Sequence, residues 1–300
     1  MAVANDYESA GGSTPVSETP QNESDTFEIG DRTVHRLGFG AMRLTGDEII
    51  GPPEDEEQAR EVLERAVDIG VDLIDTADSY GPAVSERLIG EALGDRDDVL
   101  VATKAGLLRN REGEWLAHGD PDYIRNQVLT SLDRLRTDTI DLYQFHRPDD
   151  DTPFEDSVAA FAELKDEGLV DEVGLSNVSP EHIDQAREQV EIATVQNRYN
   201  IGDRGAADAL ELCTEEGIGF IPWAPINGDD VDEHGDLLDE IGDEHDATRR
   251  QVALAWLLER SEVILPIPGT SSPEHLESNV AASQLSLSDE EVQQLTDAAD

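Results

Sequence analysis

Leu73-Ile74-Asp75-Thr76-Ala77-Asp78-Ser79-Tyr80-Gly81 is the stretch on which the fold turns. Two apolar residues end on a carboxylate, and a turn-forming run then delivers a phenol. The plan recurs downstream, where Val99-Leu100-Val101-Ala102-Thr103 stops at Lys104 and Ile140-Asp141-Leu142-Tyr143-Gln144-Phe145 stops at His146. Short apolar runs between amphipathic stretches are the pattern of parallel strands joined by helical crossovers. In a parallel barrel all such strand ends open on one rim, so groups scattered along the sequence converge in one cleft.

Outward from that stretch the alternation can be followed eight times. Strands are predicted at 37–42, 72–74, 99–103, 140–145, 172–175, 193–196, 219–221 and 263–266. Amphipathic helices are predicted at 56–69, 85–93, 121–135, 154–167, 180–189, 206–216 and 248–260. The count predicts an α/β protein, a (β/α)8 TIM barrel. Strands at 27–29 and 33–34 around Gly30-Asp31 predict an N-terminal β-hairpin ahead of it. Residues 1–25, polar and poor in large apolar groups, are expected to be a disordered tail, and 26–300 one barrel domain. The longest irregular insert, 227–246, follows the seventh strand and reads equally as a lid or as exposed surface; 107–119 is a second rim loop carrying Trp115 and His118. Glu86 and Arg87 are expected at a helix start and on its exposed face. Met42 and Arg43 stay open between cofactor contact and pocket wall.

Sixty-nine acidic residues against 21 basic ones give a net charge of −48. That excess disfavours nucleic acid as a partner, and self-repulsion of this size is relieved in molar salt, where the Debye length is about 3 Å. A halophilic surface in a salt-rich cytoplasm is the expectation. The acidic runs lack a defined coordination register, so no metal is expected. Lysine occurs only at positions 104 and 165; a chain that has nearly abandoned lysine keeps one at a strand end. The single cysteine, Cys213, excludes an intrachain disulfide and is expected to be a small buried residue. No apolar run is long enough for a signal peptide or a membrane span, which suggests a soluble cytoplasmic protein. The sequence sets no oligomeric state.

A tyrosine beside a lysine is a proton-donor design. An ammonium about 4 Å from a phenol supplies ~4 kcal/mol at an effective dielectric near 20, the size needed to bring the phenol pKa down toward neutrality. Asp75 would hold that ammonium, and His146 would orient a substrate oxygen. The set fits protonation of an oxygen that gains charge as hydride adds to a carbonyl. None of the four is a hydride source, so a nicotinamide cofactor is implied. Ser176-Asn177 and Gln196, at later strand ends, suit a carboxamide, and Trp223 offers a flat face. Pro268-Gly269-Thr270-Ser271-Ser272-Pro273 precedes a helix whose N-terminus suits a phosphate.

With these motifs in order, D-T-A-D-S-Y-G at 75–81, A-T-K at 102–104, D-L-Y-Q-F-H at 141–146, G-L-S-N at 174–177 and I-P-G-T-S-S at 267–272, the chain resembles the aldo-keto reductases over residues 27–300. The resemblance implies Tyr80 as general acid, a tetrad completed by Asp75, Lys104 and His146, and NADPH, with NADH possible, across the barrel mouth. It implies Ser176, Asn177 and Gln196 as carboxamide ligands and Trp223 as the stacking aromatic in place of the commoner tyrosine. Gly269, Thr270, Ser272, His275 and Asn279 match positions around the adenosine phosphate. Where well-known members place a lysine and an arginine, this chain has Gly269 and His275, which puts the strength of NADPH preference in question. The substrate is expected to be a small aldehyde or ketone. Two other readings stand beside this one: a cofactor-sensing regulatory or binding protein of the same fold with little turnover, separated by a multiple-turnover assay, and a Schiff-base isomerase using Lys104, separated by borohydride trapping.

Overall fold

The computed structural model describes residues 25–94 and 96–298; the polar tail expected at 1–25 lies outside the described residues except for Asp25, which pairs with Arg36. Strands β1 (Thr26–Ile29) and β2 (Arg32–His35) form the expected hairpin, turning at Gly30, whose φ of 57° suits glycine. Strands β3 (Phe39–Gly40), β4 (Leu73–Asp75), β5 (Leu100–Ala105), β8 (Ile140–Phe145), β9 (Val170–Ser176), β10 (Thr194–Gln196) and β11 (Gly219–Phe220) make one parallel sheet in the order β11-β10-β9-β8-β5-β4-β3. Between β5 and β8, strands β6 (Leu107–Arg109) and β7 (Trp115–Ala117) form a small antiparallel rim hairpin.

The ring is closed by 263–268 without a regular eighth strand. Phe220 N donates to Val263 O at 2.7 Å and Leu265 N to Phe220 O at 2.8 Å, while Gly38 N donates to Pro266 O at 2.9 Å on the other side. Pro266 and Pro268 lack the N–H groups a full ladder requires, so the eighth position pairs only at intervals. The first strand is likewise shorter than predicted: after Gly40 the chain winds into a 3-10 turn, Ala41–Leu44, which carries Met42 and Arg43.

Strand alternation sorts the inward side chains into layers. Leu73, Leu100, Ala102, Leu142, Ile221, Leu265 and Ile267 fill the lower barrel together with Ile29 and Val34 of the hairpin, which stoppers it. Asp75, Lys104, Gln144 and Gln196 come two residues further along their strands and form the upper layer. Gly174 makes room for it, because a Cβ there would stand 2.8 Å from Gln144 Cγ and 2.5 Å from Thr194 Oγ1.

Outside the sheet lie α1 (Glu56–Asp68), α2 (Val84–Leu93), α3 (Pro121–Leu135), α4 (Phe154–Asp166), α5 (Pro180–Arg187), α6 (Ala207–Glu216), α7 (Gly228–Glu233), α8 (Gly235–His245), α9 (Arg249–Arg260), α10 (Pro273–Ala281) and α11 (Asp289–Ala298). The insert at 227–246 is therefore not irregular: it folds as α7 and α8, with Val231, Leu238 and Ile241 buried against the core. Glu86 is also corrected. It is wholly buried, bonded to Arg134 on α3 and to Thr103 Oγ1 at 2.6 Å, and it joins α2 to the sheet. Arg87 does lie at the surface, with Glu56 and Glu91. Cys213 is buried as expected, its thiol pushed up to about 12 by burial. Among the described residues no helix is long and apolar enough to cross a membrane.

Candidate active site

Register places the polar layer. Asp75 ends β4 opposite Gly40 and Ala102, Lys104 pairs with Gln144, and Gln196 with Ser176. Lys104 Nζ is shut off from solvent and has three acceptors for its three N–H bonds: Asp75 Oδ2 at 2.6 Å, Thr76 O at 2.7 Å and the Tyr80 hydroxyl at 3.5 Å. An ammonium only donates, so the phenol oxygen accepts here and its own proton is free for another partner. The other oxygen of Asp75 receives Gln196 Nε2 at 2.7 Å and Gln144 Nε2 at 3.1 Å.

Burial sets the protonation states. It raises the Tyr80 pKa by more than the Lys104 charge lowers it, with Asp75 adding to the rise. The expectation that Lys104 brings the phenol toward neutrality is thus not met in the protein alone, where burial holds Tyr80 as the neutral phenol. Burial opposes the charge on Lys104, yet Asp75 and then Tyr80 hold its pKa above the ordinary value. Burial, followed by the charges of Lys104 and Arg147, keeps His146 well below the usual imidazole range and therefore neutral. The His146 ring stands edge-on to Tyr80 at 6.0 Å, and Trp115 from β7 stands edge-on to Tyr80 at 6.4 Å.

Above this layer opens a cleft of about 470 Å³ whose lining includes Asp75, Tyr80, His146, Ser176, Asn177, Gln196, Trp223 and Gly269. Lys104 lies beneath it. Asn177 turns the chain after β9 in the left-handed region at φ 57°; its Nδ2 donates to His146 O at 3.0 Å, and its Oδ1 accepts from Trp223 Nε1 at 3.1 Å. Thr270, Ser272, His275 and Asn279 are not brought into this cleft. They lie around α10, where Ser272 caps the helix by accepting from His275 N at 3.3 Å, Thr270 Oγ1 accepts from Ser272 N at 3.0 Å, and Asn279 is buried. A second, larger cleft of about 750 Å³ adjoins the first and reaches Ser271; Arg43 lines both.

Gln144 has no role in the sequence reading, although its position two residues after Leu142 on β8 puts it on the same inward face. Arg147, which lines the cleft, and Trp115, which touches Tyr80, gave no periodic signal, since Arg147 lies beyond the end of β8 and β7 is only three residues long.

A family model described as "Aldo/keto reductase family" matches residues 36–300. The chain belongs to that family. An uncharacterized oxidoreductase of Schizosaccharomyces pombe is 43% identical over 274 residues, covering 91% of this chain and 90% of the relative. Pyridoxine 4-dehydrogenase of Escherichia coli is 40% identical over 275 residues, covering 89% and 96%. Among solved structures, an aldo-keto reductase from Klebsiella pneumoniae in complex with NADPH superposes with a TM-score of 0.78 at 27% identity, covering 92% of this chain and 95% of that one. The barrel, the rim hairpin and the polar layer are the form the family takes in this chain.

Proposed function

We propose that the protein reduces an aldehyde or ketone with hydride from NADPH, and reversibly oxidises the alcohol, with Tyr80 as general acid. The observation that carries this reading is the Lys104 ammonium, which donates to the Tyr80 oxygen inside a wall of Asp75 and two glutamine amides. When bound, the nicotinamide supplies the hydride. Tyr80 would pass its proton to the substrate's carbonyl oxygen as negative charge builds there, and the phenolate left behind would face a buried cation that stabilises it by ~4 kcal/mol. His146, neutral, donates to the same oxygen and fixes the carbonyl against the phenol.

The donor set fits a nicotinamide. With its Nε2 committed to Asp75, Gln196 keeps a carbonyl oxygen for the carboxamide N–H, while Ser176 Oγ and the Asn177 amide complete the polar wall and Trp223 gives a flat one. Gly269 cannot regain a side chain freely, since a Cβ there would stand 2.6 Å from Gly40 O. The Arg43 stem passes 3.7 Å from that Cβ position, and its guanidinium would supply the cation that the loop lacks. Thr270, Ser272, His275 and Asn279 would flank the adenosine phosphate at the start of α10.

Multiple turnover with NADPH across a panel of aldehydes and ketones, pyridoxal included, at high KCl is the test. Stoichiometric cofactor binding with no turnover on any of them would favour the cofactor-sensing alternative.

A further inference from the structure

The rim of the cleft carries its own chemical signature. Four large apolar side chains are notably exposed among the described residues, Ile50, Trp115, Leu116 and Leu129; Trp115 lines this cleft, Leu116 is its neighbour on β7, and Ile50, which bridges to Gly81 beside Tyr80, lines the adjoining cleft. Among the described residues Leu129, on α3, is the one such group exposed away from these clefts. Trp115 is held in place. The Arg109 guanidinium stacks on it at 3.7 Å and is itself tied to Glu48 O at 2.9 Å. One indole face is taken, and the cleft meets the rest of a fixed, flat wall, with Met42, Ile49, Leu107 and Ile226 continuing the apolar lining.

Charge is reversed here relative to the whole chain. Among the described residues the only carboxylate lining the cleft is Asp75, already bonded to Lys104, whereas Arg43 and Arg147 line it with no carboxylate partner. Arg43 belongs to the Gly269 side, where the cofactor phosphates would lie. Arg147 follows His146 directly and lines the cleft beside it, which puts it on the carbonyl side.

We infer that the substrate is a planar aromatic carbonyl compound bearing an anionic oxygen substituent, its ring against Trp115 and its anion on Arg147. This rests on the reductase reading above. A flat ring gains most from a pre-set indole wall, and a guanidinium without a partner recognises carboxylate or phosphate by paired N–H bonds.

The experiment compares KM for 4-carboxybenzaldehyde, 3-carboxybenzaldehyde, 4-formylphenyl phosphate, methyl 4-formylbenzoate and butanal, with NADPH at fixed KCl. An anionic aldehyde should show a KM about tenfold below that of the neutral ester, and whether carboxylates or the phosphate lead identifies the anion. Arg147→Gln should abolish the difference between anion and ester, and Arg147→Lys should restore part of it. Trp115→Ala should raise KM for the aromatic aldehydes several-fold more than for butanal. Equal KM for anions and ester in the wild type, or a ratio unchanged in Arg147→Gln, overturns the anion assignment; equal effects of Trp115→Ala on benzaldehydes and butanal overturn the aromatic one. Failure of every aldehyde to turn over in the wild type would instead strike the reductase reading itself.

Discussion

Lys104 Nζ stands 2.6 Å from Asp75 Oδ2, with both side chains closed to solvent. Breaking a buried pair by removing one partner strands the other charge, at a cost of about 3–5 kcal/mol. Lys104→Met should therefore lose both stability and reduction. Adding Asp75→Asn should recover most of the stability, because Gln144 and Gln196 still find an amide oxygen, while reduction stays lost. Thermal melts and single-turnover rates on the two variants check this; full activity in the double variant would remove the ammonium from the chemistry.

Tyr80→Phe keeps the ring and its edge contacts to His146 and Trp115 but removes the transferable proton. Reduction should fall by roughly 10²–10⁴-fold, the range general acid catalysis spans, with cofactor affinity close to wild type. A rate within twofold of wild type would take the acid role away from Tyr80.

Asp78, inside the same turn, is buried and accepts from Tyr123 Oη at 2.7 Å. Burial, and then the charge of Glu86, raise its pKa from 3.8 to about 8. A carboxyl whose folded pKa is raised stabilises the fold below its unfolded value, and that stability is lost as pH rises through the folded one. Asp78→Asn mimics the protonated form, so wild type should weaken relative to this variant by about 1.4 kcal/mol per pH unit between about pH 4 and 8, then level off. Denaturant midpoints for both proteins across that window decide it, and parallel pH profiles would show that Asp78 is ionised in the fold.

Arg43→Gln should raise the dissociation constant for NADPH by up to about tenfold and that for NADH by less, since an exposed guanidinium serves the extra phosphate through one or two charge-assisted bonds. Protein fluorescence, with Trp223 beside the nicotinamide wall, reads both cofactors. An NADPH affinity untouched by the substitution would return the phosphate to α10 and His275.

The barrel was legible because strand ends bearing Asp75, Lys104 and His146 recur at one phase of an alternating pattern, and alternation is what the sequence records most directly. The eighth strand faltered where Pro266 and Pro268 remove ladder donors, a local effect that apolar content hides. Glu86 shares the helical face of Ile89, Gly90 and Leu93, so its burial was readable from spacing; its charge argued the other way, and the partner that settles the conflict, Arg134, lies 48 residues on. The phenol pKa was misjudged because a pairwise charge can be guessed from residue types, whereas the desolvation that outweighs it depends on the packed surroundings. Gln144 and Gln196 meet at Asp75 across 52 residues of chain, which only the closed barrel brings about.

Salt response follows from the charge count. Even with every basic side chain paired, 48 acidic ones have no opposite charge. Exposed pairs such as Arg96–Asp98 and Arg125–Glu163 contribute only about 0–1 kcal/mol each and are themselves weakened by salt, so the unpaired carboxylates decide the sign. Raising KCl from dilute buffer to molar concentrations shortens the Debye length from about 30 Å at 0.01 M to about 3 Å at 1 M and removes most of their mutual repulsion. The melting temperature should climb across that series, by roughly 2 °C for each kcal/mol gained in a domain of this size. A variant in which several exposed Asp or Glu of α11 are changed to Asn or Gln should melt higher than wild type in dilute buffer and lose that advantage in molar KCl. A melting temperature that stays flat or falls with KCl would mean that the acidic surface is not what limits the fold.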